Sequence, residues 1–161
     1  LMADAPLSPQ EAAEIGARIH ALVRACPSGR VTTYGWIAAA IGYKGGTGAR
    51  MVGWFLNELD SHAEVPAQRV INSKGELTGS WAFGRKGRMR ELLEAEGIEF
   101  TEAGRVDLKR YGWDPTRDLS DEERQRLLGS AAPDEVSVSE NLLRLLRDDP
   151  ASPFRIQRAE P

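Results

Sequence analysis

Four residues at helical spacing carry much of the chemical information in this 161-residue chain. Arg50, Gly53, Trp54 and Asn57 recur at intervals of three and four. A helix through them therefore places a guanidinium, a gap, an indole and an amide on one face. Met51, Val52, Phe55, Leu56 and Leu59 fall on the opposite face and read as core. A shorter helix and a glycine-containing turn precede them, which together suggest a helix-turn-helix. Other chemistries find little support. Two histidines and one cysteine make no metal-ligand cluster at a recognised spacing. The glycines of 45–48 lack the Lys-Ser/Thr that a phosphate loop needs after them, so no cofactor is expected. The lone Cys26 ends an amphipathic stretch, where a small buried hydrophobe is the expected role. A nucleophile displaced to Cys26 would be the enzymatic alternative.

The landmarks V-T-T-Y-G (31–35), A-R-M-V-G (49–53), V-P-A-Q-R-V-I-N (65–72), L-E-A-E-G (93–97) and Y-G-W-D-P (111–115) follow one another in order. With them the chain resembles the C-terminal domain of the O6-alkylguanine-DNA alkyltransferases over residues 13–115. It is more similar still to the alkyltransferase-like proteins, which lack the acceptor cysteine. In the alkyltransferases the signature is Pro-Cys-His-Arg-Val; here Ala67 stands at the cysteine position and Gln68 at the histidine position. Alkyl transfer needs a thiolate generated by a base within hydrogen-bonding reach. A methyl group is no nucleophile and an amide is no general base, so no catalytic residue is expected. Glu96 matches the family's orienting glutamate and is expected to have nothing left to orient. Relatives commonly carry tryptophan where this chain has Ala67, so the packing of the pocket is expected to differ.

The resemblance implies a set of DNA-binding residues: Tyr34, Arg50, Gly53, Thr33 and Arg69, of which Arg69 is explained equally well by a structural role. Arg50 would fill the space of a flipped nucleotide, and Tyr34 would push the neighbouring phosphate. Gly53 would admit the DNA backbone. A lesion pocket is expected from Val65, Pro66, Ala67, Gln68 and Trp81, with Phe83 as a further wall. The implied function is non-enzymatic binding and flipping of O6-alkylguanine in double-stranded DNA. The partners implied with it are nucleotide-excision-repair proteins. A helix-turn-helix regulator without lesion specificity is the alternative. Arg85, Lys86, Arg88 and Arg90 at a helix start oppose the helix dipole; phosphate contact and a solvated face explain them about equally.

The elements that must position these residues are partly legible. Ser8, Pro9 and Glu11 form a capping-box start, followed by Ile15, Ile19, Leu22 and Val23 at helical spacing. A second helix is expected from about Thr33 to Gly42, then a turn over 45–48 and a third helix over 49–59. Residues 64–72 read as extended, 76–78 as a short strand, and 79–87 as a loop. A helix ending at Gly97 and a hairpin over 98–108 follow. Beyond residue 115, Ser120 and Glu123 open another capping box, and Leu142, Leu143, Leu145 and Leu146 mark a last helix.

The expected fold is thus α/β, mainly helical: a small single domain with a winged-helix-like helix-turn-helix, short strands and a C-terminal helical extension. Residues 1–115 form the DNA-binding part and 116–161 the extension. The net charge of −3 hides a segregation. Residues 30–90 carry nine Lys/Arg against four Asp/Glu, and 116–161 carry seven against ten. Phosphate contact needs local positive charge, so the overall sign does not exclude nucleic acid. A single cysteine excludes an internal disulfide, and no apolar run suggests a membrane span or signal peptide. A cytoplasmic location is therefore expected.

Overall fold

The computed structural model describes residues 6–59, 63–79, 83 and 87–155. Helix α1 (Pro9–Ala25) starts where the capping box places it: the Ser8 hydroxyl accepts from the Glu11 N–H at 3.1 Å, and Glu11 Oε1 accepts from the Ser8 N–H at 3.1 Å. Its Ile15, Ile19, Leu22 and Val23 are buried. The strand β1 (Thr32–Thr33) leads into α2 (Tyr34–Ala40), and a turn through Gly42 leads to α3 (Gly45–Asn57).

The strand β2 (Val70–Ile71) pairs in parallel with β1, Thr32 opposite Val70 and Thr33 opposite Ile71. Successive residues of a strand face opposite ways, and here this divides the interior. Val70 joins the cluster of α1, α2 and α3, whereas Ile71 joins Val31, Met89, Leu93, Ile98, Val106 and Tyr111. The second cluster includes α4 (Arg88–Ala95) and the segment before α5 (Leu108–Tyr111). The chain continues through α6 (Pro115–Asp118), α7 (Asp121–Gly129) and α8 (Glu140–Asp148). Eight α-helices and one two-stranded ladder, among the described residues, make the architecture mainly helical.

Four local expectations are corrected. Helix α3 begins at Gly45, so the glycine run forms its first turn instead of a separate turn. The reason is packing: a Cβ at Gly48 would lie 2.5 Å from the Tyr43 carbonyl oxygen and 3.1 Å from the Ala38 methyl. Residues 64–72 are not extended throughout, because Ala67–Arg69 form a 3-10 turn closed by Arg69 N–H donating to the Pro66 carbonyl at 3.0 Å. Residues 76–78 are not a strand: the Asn72 side-chain oxygen accepts from the Lys74 and Glu76 N–H groups, giving a side-chain-capped turn. The hairpin over 98–108 contracts to a single antiparallel bridge, Phe100 to Val106, before α5 begins.

Residues 116–155 pack on the rest of the chain. Leu142 and Leu146 of α8 are fully buried in the α1–α3 cluster. Both capping residues read from the sequence operate there too, Ser120 with Glu123 opening α7.

Candidate nucleic-acid interface

Thr33 starts the site. Its hydroxyl accepts from the Trp36 N–H at 3.0 Å and caps α2, which sets the direction of Tyr34 at the first helical position. Thr33 is 2% exposed, so its hydroxyl serves the helix and offers nothing to a ligand. Tyr34 is half-buried with its ring beside α3. Burial pushes its phenol above the ordinary value of 10, and a hydrogen bond with the Thr78 side chain works against that rise. The phenol is therefore neutral at physiological pH and available as a donor.

The outer face of α3 completes an open cleft of about 440 Å³ lined by Tyr34, Arg50, Gly53, Trp54, Asn57 and Thr78, together with three small residues. Arg50 and Asn57 are exposed, while Met51, Val52, Phe55 and Leu56 are buried on the other side, as the spacing predicts. Arg50 has no ion pair or hydrogen bond among the described residues. Trp54 is half-buried; it packs against the core and also lines the cleft, a double role the sequence could not divide.

Two glycines behave differently here. A Cβ at Gly79 would lie 2.9 Å from the Tyr34 hydroxyl, so Gly79 keeps room for that phenol. Among the described residues, a Cβ at Gly53 would meet only the Tyr34 ring, at an ordinary 3.9 Å. A glycine inside a helix costs roughly 0.5–1 kcal/mol relative to alanine. Nothing among the described residues requires that cost at Gly53, and its vacant side faces the cleft. Spacing placed Asn57 on the outer face of α3, whereas Thr78 and Gly79 were missed as site residues from sequence. Only the pairing of Gly79 with an aromatic hydroxyl would have signalled one of those two, and that pairing is tertiary.

A second group forms around Glu96. Glu96 Oε1 accepts from Arg69 Nε at 2.9 Å and from the Gly29 N–H at 3.0 Å, and Oε2 accepts from Gln68 Nε2 at 2.9 Å. Burial raises the Glu96 carboxyl, but the hydrogen bonds from Arg69, Gly29 and Gln68 outweigh it and hold the group below its ordinary value of 4.5. An ionised carboxylate can only accept, so the amide of Gln68 must turn its NH2 toward Glu96 and its oxygen away. The expectation that Glu96 has nothing to orient is thereby corrected: it orients Gln68 and Arg69. Arg69 also donates through Nη1 to the Cys26 carbonyl at 2.9 Å, and its side chain is only 17% exposed. Its guanidinium is turned inward as a brace between the 3-10 turn, α1 and α4, which removes it from the residues open to DNA.

Ala67, Pro66 and Val65 are half-buried at this turn and do not line the α3 cleft. The structure thus brings Tyr34, Arg50 and Gly53 together and groups Ala67, Gln68 and Arg69 separately around Glu96. Trp81 lies outside the described residues, as do Arg85 and Lys86. Arg88 and Arg90 pair along their own helix with Glu91 and Glu94, each at 3.6 Å, and Arg90 also covers the Phe100 ring at 4.4 Å. A solvated, self-paired face accounts for both.

Cys26 is fully buried, and burial pushes its thiol up to about 12, with Arg69 pulling it down and Glu96 raising it further. No thiolate is present at neutral pH, which speaks against a displaced nucleophile. No group of three or more His, Cys, Asp or Glu among the described residues could hold a metal ion, and no described helix is long and apolar enough to cross a membrane.

Comparisons with known proteins agree on one lineage. The family model of the 6-O-methylguanine DNA methyltransferase, DNA binding domain, matches residues 14–98. A DNA base-flipping protein of Vibrio parahaemolyticus is 42% identical over 99 residues, covering 61% of this chain and 94% of the relative. Alkyltransferase-like protein 1 of Schizosaccharomyces pombe is 32% identical over 106 residues, covering 63% of this chain and 96% of the relative. Among solved structures, S. pombe Atl1 in complex with damaged DNA containing O6-carboxymethylguanine superposes with a TM-score of 0.56. It is 34% identical, and the match covers 63% of this chain and 96% of that one. The chain belongs to the family of the 6-O-methylguanine DNA methyltransferase DNA-binding domain.

Proposed function

We propose that this protein binds duplex DNA at an O6-alkylated guanine, turns the damaged nucleotide out of the stack, and leaves the alkyl group in place. The observation that carries the reading is the α3 cleft: an exposed Arg50 without a partner among the described residues, beside Tyr34 and a Gly53 that internal packing does not require. Arg50 would occupy the space of the flipped nucleotide, the neutral phenol of Tyr34 would engage the phosphate beside it, and Gly53 would let the DNA backbone approach α3. Flipping costs a few kcal/mol, less for a weakened pair, so a poorly pairing alkylguanine is favoured over guanine from the start.

The absence of transfer chemistry in this reading rests on Ala67 and Gln68. Ala67 has no sulphur to accept an alkyl group, and Gln68 is an amide held by Glu96. Val65, Pro66, Ala67, Gln68 and Trp81 would surround the adduct. Nucleotide-excision-repair proteins, as the agents that remove the marked lesion, and a cytoplasmic site of action complete the proposal; family resemblance supports the first, and the single cysteine of the chain the second.

The test is a paired titration of one duplex sequence with and without a single O6-methylguanine, followed by mass spectrometry of the protein. Tighter binding to the damaged duplex with no added methyl mass is the expected result. Equal affinity for both duplexes would return the chain to a helix-turn-helix binder without lesion specificity. A methyl adduct on the protein would make it an enzyme.

A further inference from the structure

The part of the cleft that α3 itself lines runs from Gly46 to Asn57, with Tyr34, Thr78 and Gly79 on the facing side, and the C-terminal segment touches the chain just outside both ends of that α3 stretch. Before it, the Phe154 ring meets the Tyr43 ring edge-on, with centroids 5.1 Å apart. After it, the Ser139 hydroxyl donates to Glu58 Oε1 at 2.9 Å while accepting from the Leu142 N–H as the cap of α8. Between these two anchors Leu142 and Leu146 are fully buried. Arg147 Nε donates to the Leu7 carbonyl at 2.8 Å, tying α8 to the start of α1. On α1, a Cβ at Gly16 would lie 2.7 Å from a Val136 methyl, so that helix is notched to receive the segment.

We infer that residues 136–154 are a positioning strap for α3, fixing the height and tilt at which Arg50 is presented. The lever at the first end is short. Phe154 holds Tyr43; the Tyr43 carbonyl abuts Gly48 so closely that no side chain fits there; and Gly48 is two residues before Arg50. At the second end Glu58 is the C-terminal cap residue of α3, directly after Asn57 of the cleft. Packed side chains resist small displacements because interiors have few voids. A ring lost at position 154 therefore shifts the turn that Tyr43 anchors. The strap lies outside residues 14–98, the part of the chain that the family model matches. Its effect on DNA rests on the function proposed above; its effect on α3 does not.

The experiment uses the full chain with Phe154→Ala, Phe154→Tyr, Glu58→Ala and Leu128→Ala, the last in α7, which packs on α1 away from both anchors. Hydrogen exchange is read on free protein, and affinity on a duplex with one O6-methylguanine, at a temperature where circular dichroism shows every variant folded. Phe154→Ala should speed exchange at residues 48–52 by about tenfold and leave α4 unchanged. It should weaken binding by about fivefold, and Phe154→Tyr should restore both. Glu58→Ala should loosen the last turn of α3, which keeps a second arm should Phe154→Ala fold poorly. Leu128→Ala should lower the melting temperature and leave affinity within about twofold. Unchanged exchange in α3 for both Phe154→Ala and Glu58→Ala overturns the strap, whether or not the wild type binds DNA. Loss of affinity in Leu128→Ala equal to that in Phe154→Ala overturns it as well. A wild type indifferent to DNA, with exchange altered as expected, refutes the proposed function and leaves the strap standing.

Discussion

The α3 cleft and the Glu96 cluster are built from similar side chains and treat them in opposite ways. Both contain an arginine and an amide. Around Glu96, Arg69, Gln68 and the Gly29 N–H all converge on one carboxylate, and the arginine and amide are half-buried. In the cleft, Arg50 and Asn57 are exposed, and Arg50 has no partner among the described residues. Folding satisfies the first set internally and leaves the second to whatever docks there. Residue type alone therefore does not mark a binding site; an arginine becomes a candidate contact when the fold gives it no other use.

The largest expected effect would break the closed half of this contrast. Glu96→Ala leaves a half-buried guanidinium and two donors without their acceptor, and should cost about 3 kcal/mol of stability in chemical denaturation. The acid limb should change with it. Because the folded carboxyl lies below its ordinary 4.5, it contributes stability above that pH and loses it as the pH falls through the folded value. The variant should lack that loss.

In the open half, Arg50→Ala should leave the melting temperature unaltered and weaken binding to an O6-methylguanine duplex about tenfold or more, read by fluorescence anisotropy; tenfold is about 1.4 kcal/mol. Unaltered affinity would remove Arg50 from the flipping model. Gly53→Ala sharpens the contrast further. It should stabilise the fold by about 0.5–1 kcal/mol while weakening DNA binding, since the only neighbour of the new methyl among the described residues is the Tyr34 ring at 3.9 Å. A variant that is both more stable and equally competent to bind would show that the gap serves no ligand.

A third environment carries an effect that shows only in acid. His20 is buried beside Arg24 and shares a hollow with Glu58, Glu64 and Glu135; burial first, and Arg24 second, lower it from 6.5 to about 4. Its charging favours the unfolded chain, so stability should be complete above pH 6.5 and fall as the pH drops toward 4. Thermal melts of His20→Gln should lack that slope.

Local signals made much of this legible. Ser8 with Glu11 and Ser120 with Glu123 fixed helix starts because a cap bonds within four residues. The two faces of α3 followed from spacing. What sequence could not give was tertiary. The glycines of 45–48 read as a turn because glycine disfavours helix, whereas the contact between Gly48 and Tyr43 demands one inside α3. Thr33 and Arg69 were placed on the DNA side because their motif is there, but a hydroxyl committed to a cap and a guanidinium committed to Glu96 are turned inward. The docking of the last helix had a faint trace in Gly16, which means nothing until Val136 is seen against it.

The burial of Cys26 has a bearing on how many molecules a cell would need. With its only sulphydryl sealed and held protonated, the polypeptide offers no thiolate to the electrophiles that damage guanine. A repair protein that takes the adduct onto itself is used up in a single event. This one would emerge from each encounter chemically unchanged, so one copy could visit many sites in succession.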